Sequence, residues 1–261
     1  MYFLRLLRVF YRTSVQTDME YRADFFTRVF ASLLGLLTTV GSLWITFHYT
    51  PQLRGWTFTE TLVLVAVYYV INGLVETFIA PNMREIMNQV REGTLDFVII
   101  KPVSSQFMAT FRSVNIWMVS NLLIGLGLGV YAVGAQADQI GWGRALAFFV
   151  TLLAGVSVVY SVWLVLVSLT FWFVRVDNIE QIIWQAFETG RYPIEIYPNW
   201  LRSALTYVIP VVFIITIPAR ALIGRLTGDT LVLTILVAAA SVIASSAFWK
   251  FGLKYYTGAS A

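Results

Sequence analysis

The chain has 261 residues, 58% hydrophobic and only 12% charged, with a formal net charge of +4. A soluble domain carries roughly twice that charged share, so a water-facing catalytic body of 29.5 kDa is excluded by its own greasy surface. The chain has no cysteine and a single histidine, His48, which rules out disulfides, cysteine nucleophiles and thiolate or histidine metal sites.

Residues 1–24 mix Arg5, Arg8, Arg12 and Arg22 with Asp18, Glu20 and Asp24, which is not the apolar core of a signal peptide. Phe3, Leu6, Leu7 and Phe10 share one helical face, so an amphipathic helix lying in the membrane interface is expected there. The remainder, 25–261, reads as one membrane domain. Its first charge-poor run, 29–47, is long enough to cross a hydrocarbon layer of about 30 Å. A short loop holding Pro51 and Gly55 leads to a second span, 59–80, which Pro81 is expected to close.

Residues 82–112 are the most charged internal stretch, with Arg84, Glu85, Arg91, Glu92, Asp96, Lys101 and Arg112. Within it, 82–92 reads as a short polar helix that Gly93 ends, as a helix C-terminus wants. A charged helix joined stiffly to two spans is a lever on which a partner can push.

A third span covers 113–133. Its Gly125, Gly127 and Gly129 lie mid-span, where small residues let a neighbouring helix approach. A fourth lies within 145–174, a run without charge. Residues 175–202 are mixed; Ile179, Ile182, Ile183, Trp184 and Phe187 fill one side of a helix-like segment. That segment either lies along the inner surface, the preferred reading, or dips into the membrane as a broken helix. In the second case Glu180, Glu188 and Arg191 need a polar cavity or each other. A fifth span, 203–219, is interrupted by Pro210 and Pro218, and a sixth covers 231–249.

The expected fold is therefore all-α, with six transmembrane helices behind an N-terminal interfacial helix. With both termini in the cytoplasm, Lys and Arg divide 14 inside to 4 outside, the four being Arg54, Arg144, Arg220 and Arg225. Basic residues at the ends of apolar runs suit lipid headgroups, and nucleic acid is not an expected partner.

Polar residues inside spans are costly and therefore candidates for a substrate path. Asn72 and Glu76 share a face of the second span; Glu188 and Arg191 follow from the mixed segment. A membrane-embedded lipid-modifying enzyme needs more acid and base groups at one depth than are present. An ion-coupled secondary transporter needs an internal repeat and midplane carboxylates that are not evident. No catalytic residue, metal ligand or phosphate-binding loop is expected.

The helix followed by "REGTLDFVIIKPVSSQF" resembles the loop between the second and third spans of type-2 ATP-binding-cassette exporter permeases, with Gly93, Leu95, Asp96 and Pro102 at the recurring positions. "RYPIEIYPNWLRSALTYVIPVVFIITIPARAL" and the ending "WKFGLKYYTGASA" are similar to one branch of that class, often called uncharacterised permease components. The resemblance implies an exporter permease for an amphipathic or hydrophobic substrate, in a bacterial inner membrane. It carries no cofactor itself and works with a separate ATPase subunit that holds ATP and Mg. It pairs with a second copy or a homologous permease. The resemblance makes 82–92 the coupling helix, with Arg84, Glu85, Met87, Asn88, Arg91, Glu92, Gly93, Asp96 and Pro102 as the coupling residues.

Overall fold

A computed structural model describes residues 10–11, 13, 22–100, 105–134, 141–173 and 176–256. Nearly all of the expected N-terminal interfacial helix, and Lys101 and Pro102, lie outside the described residues. The charge-poor runs become long helices: α1 (Arg22–Tyr49), α2 (Phe58–Leu74), α3 (Ala80–Arg91), the short α4 (Asp96–Ile99) and α5 (Ser105–Phe111), α6 (Val119–Gly134) and α7 (Trp142–Leu169). They are followed by α8 (Asp177–Glu188), α9 (Asn199–Tyr207), α10 (Ile217–Leu222) and α11 (Gly228–Gly252). No strand occurs among the described residues; one isolated bridge pairs Leu53 with Trp56. Five helical stretches are long and apolar enough to cross a membrane, and a sixth such stretch is a pair of helices bent by 75°. The chain is an all-α integral membrane protein. We call the face carrying residues 50–57 the upper face and that carrying 92–100 the lower.

The second span is the hub. Of its apolar window 89% is buried in protein, against 11% for the first and third spans and 17% for the last, whose outer sides are left to lipid. Its start is fixed by a capping box: Glu60 N donates to Thr57 Oγ1 at 3.3 Å and Thr57 N to Glu60 Oε2 at 2.8 Å. Glycines set its closest partner. A Cβ on Gly125 would stand 2.5 Å from Val70 N, and one on Gly73 would stand 2.4 Å from Leu122 N. Of the three mid-span glycines, Gly125 makes this close approach, Gly129 faces the Ala66 methyl, and Gly127 meets nothing within 4 Å.

Pro81 does not close the second span. Helix runs on from Phe58 to Arg91 because a π turn, Val75–Ile79, widens the coil just before the proline. The proline has no N–H for the Thr77 carbonyl, four residues back. Asn115 N supplies one instead, at 3.0 Å. Asn82 completes the joint, donating to Phe78 O and Ser113 O and accepting from Ser113 N at 2.7 Å. The polar helix expected at 82–92 is thus the lower end of the second span. It stops where expected. Gly93 takes φ +70°, Thr94 N bonds Gln89 O at 2.8 Å and Gly93 N bonds Val90 O at 3.3 Å, a Schellman ending.

The mixed segment is not a helix lying on the lower surface. It climbs the second span. Glu180 meets Arg84, Glu188 and Arg191 meet Tyr68, and Glu195 accepts from Trp56 Nε1 at 3.0 Å. From the Glu76 level to Phe58 is about 27 Å of helix, close to the hydrocarbon thickness. Three charges of this stretch, Glu180, Glu188 and Arg191, are bonded to Arg84 and Tyr68 of the hub.

Beyond Glu195 the chain returns into the body. Arg202 donates to Glu195 O at 2.9 Å near the upper face, so it does not belong to the lower-side group of basic residues in which the charge count placed it. By Val211 the chain lies against Gly190 at mid-depth, where an added Cβ would sit 3.0 Å from the Val211 side chain. It then rises through a second π turn, Val212–Thr216, and α10 to Gly224, beside Arg144. The expected fifth span, 203–219, is therefore a dip that enters and leaves from above. Its two arms meet at Val208–Pro210, and Gly155 admits the Ile214 carbonyl at 2.7 Å from its Cβ position.

Candidate functional site

Four elements line an open polar cavity of about 340 Å³ in the lower half of the hub. Ser32 and Gly35 come from α1, Tyr68, Tyr69, Asn72 and Glu76 from the hub, Asn121 from α6, and Trp184 and Glu188 from α8, with Arg191 just beyond it. Asn72, Glu76, Glu188 and Arg191, the candidates for a substrate path, line this one space. Neighbours make that possible in an apolar body, because each buried charge finds an opposite one.

The lower rim is an ion-pair bridge. Arg84 extends back along the hub, its Nη1 and Nη2 donating to Glu76 at 3.2 and 3.1 Å. Its Nε donates to Glu180 Oε1 at 2.8 Å, and its plane lies 5.5 Å from the Trp163 ring. A planar guanidinium can hold two carboxylates at once in fixed geometry, which an ammonium cannot. The upper rim is a second cluster. Arg191 Nη2 donates to Glu188 Oε1 at 2.9 Å and to the Tyr68 hydroxyl at 3.0 Å, with its cation 4.7 Å above the Tyr68 ring. The Asn121 amide donates to Asn72 Oδ1 at 2.8 Å across the wall.

A third tie lies above. Glu195 pairs with Arg220 and with Trp56, while Arg225 pairs with Glu60 at 2.6 Å and donates to Gly55 O at 2.8 Å. Tyr197 donates to Thr189 O at 2.9 Å. Together these three levels hold α8 and its extension to the hub by polar side chains.

The residues assigned to coupling divide. Glu85, Asn88, Arg91 and Glu92 are exposed on the lower face, and Asp96 is half-buried beside them. Met87 is buried in the core, and the Arg84 guanidinium turns to Glu76 and Glu180 while its side chain stays 42% exposed. Beside the exposed set, Phe97 and Ile100 are 71% and 79% exposed on the turn that Gly93 opens. The apolar step after Gly93 hinted at them, but nothing in the spacing separates outward Phe97 and Ile100 from inward Leu95 and Val98. Asn82 and Asn115, which complete the proline joint, carried no signal of that role.

Charges held in pairs between apolar spans mark this cavity as the candidate site of a polytopic membrane protein. The family model of ABC-2 family transporter protein matches residues 33–260, and the chain belongs to that family. It is a permease component of an ABC transporter, a membrane part that is not itself catalytic. A comparison with curated proteins finds no match.

Proposed function

We propose that this chain is the permease half of an ATP-driven exporter, working with a separate ATPase subunit that binds ATP and Mg. The observation that supports this most directly is the continuity of the hub. One helical rod, Phe58–Arg91, joins an exposed lower tip to the rim of a charged cavity. A push on Glu85, Asn88, Glu92, Phe97 and Ile100 travels through α3 to Arg84, and Arg84 is bonded to α8 through Glu180. The π turn at Val75–Ile79 is the place where that rod can change its winding.

In this reading the lower face is cytoplasmic, as are both termini, and the protein sits in a bacterial inner membrane. ATP binding displaces the tip, the Arg84 bridge shifts α8, and the cavity exchanges its opening between the faces. The substrate is amphipathic or hydrophobic: its polar part enters the charged cavity, while apolar surface remains on the lipid side. A second permease, identical or homologous, completes the transporter. The test is purification of the tagged chain from membranes that also hold the neighbouring ATPase subunit. A stable complex that hydrolyses ATP is expected; a chain that purifies without any ATPase contradicts the reading.

A further inference from the structure

We propose that the charged cavity takes a monovalent organic cation, an ammonium or phosphonium type of centre carried on an apolar body. This rests on the reading of the chain as an exporter permease and names the charge of what it moves. Three ion pairs balance: Arg191 with Glu188, Arg220 with Glu195 and Arg225 with Glu60 are each one to one. The Arg84 cluster does not. Its single guanidinium sits between Glu76 and Glu180, so two carboxylates share one cation. Arg84 Nε, Nη1 and Nη2 each already donate to a carboxylate oxygen. Among the described residues, the charged groups that line the cavity or bond to its lining are three glutamates and two arginines, a formal surplus of one negative charge.

A surplus charge between apolar spans is costly without a counter-ion. Here it borders an open space of about 340 Å³, far more than a bare metal ion fills. The walls offer what an organic cation uses. Glu188 Oε1 accepts from Arg191 and Tyr68, while its other oxygen takes no hydrogen bond among the described residues. The buried Asn121 Oδ1 accepts none either. Arg191 Nε is unbonded too, but that guanidinium is already matched by Glu188 and the Tyr68 ring. Ala31, Met118 and the rings of Tyr69 and Trp184 complete the lining. Carboxylates beside aromatic rings favour a weakly hydrated organic cation. An anion of the same shape meets the surplus charge as repulsion.

Tetraphenylphosphonium and tetraphenylborate match in shape and differ in sign. Equilibrium dialysis measures their affinities for the purified complex of the chain with its ATPase, each read against empty detergent. The phosphonium is expected to bind at least about tenfold more tightly. Glu180→Gln keeps an acceptor for Arg84 but removes the surplus charge, and should weaken phosphonium binding by about tenfold or more. Asp229→Asn, at an exposed position on the upper face, should leave it unchanged. In a second measurement the phosphonium, and not the borate, should slow maleimide modification of Ser32→Cys on the cavity wall severalfold. That thiol decides the matter if Glu180→Gln does not fold. Equal or reversed preference between the two ions overturns the proposal, as does a phosphonium affinity indifferent to Glu180→Gln. Protection of the thiol by sodium or magnesium but not by the phosphonium marks an inorganic cation site and overturns it too. A complex that holds its ATPase and binds no phosphonium overturns this assignment and leaves the permease reading standing. A chain that binds the phosphonium but never an ATPase does the reverse.

Discussion

Arg84 and Glu180 stand ninety-six positions apart in the chain and 2.8 Å apart in space, joining the lower end of the hub to the first turn of α8. The same guanidinium holds Glu76, so one side chain bridges two carboxylates on two elements. Arg84→Ala leaves Glu76 buried without its partner. Breaking a buried pair from one side costs about 3–5 kcal/mol, and the 42% exposure of the Arg84 side chain places the expected loss at the low end or below it. Arg84→Lys keeps a charge but not the bridge, and should fall between. Thermal unfolding in detergent of the three proteins, expected in the order wild type, Lys, Ala, checks the bridge.

Gly125 and Gly127 sit on the same helix and differ in one respect: the first touches the backbone of the hub and the second faces open space. Gly125→Val should push α6 from the hub and reduce the folded yield severalfold, because overpacking costs about 1–3 kcal/mol or more where backbone cannot yield. Gly127→Val should fold as the parent does. Size-exclusion profiles of both variants after membrane extraction separate them.

Trp200 is 72% exposed at the start of α9, just past the upper tie of Glu195 with Trp56 and Arg220. In the climbing path of 177–196 a thiol at Trp200→Cys opens to the outside of the cell. A helix lying on the inner surface places it in the cytoplasm. Labelling of intact cells with an impermeant maleimide should therefore modify this thiol, and modification only after lysis contradicts the path.

Five spans were legible from gaps in charge, and the ending at Gly93 from one glycine after a polar helix. Asn72, Glu76, Glu188 and Arg191 were legible as costly residues inside an apolar chain, and they meet in one cavity. Three things were not legible, each for a physical reason. Pro81 reads as a stop because the donor that rescues Thr77 O belongs to Asn115, far along the chain. Residues 177–196 read as a surface helix because their charges are paired with Arg84, Tyr68 and Arg220, partners that only tertiary structure supplies. Arg84 reads as a docking charge because it stands in a charged helix, while its long stem turns back toward Glu76.

The central claim is that the lower tip and the charged cavity move as parts of one rod. Ser32→Cys, a near-isosteric change on the α1 wall, places a single thiol in the cavity of the complex with its ATPase. The measurement is the rate at which a small maleimide modifies this thiol, with the ATPase empty and with it held in an ATP-bound state. The expected result is a change of at least about tenfold between the two states, corresponding to about 1.4 kcal/mol in accessibility. Phe97→Asp with Ile100→Asp should abolish that change by releasing the tip from the ATPase. A rate indifferent to nucleotide, in a complex that retains its ATPase, contradicts the account.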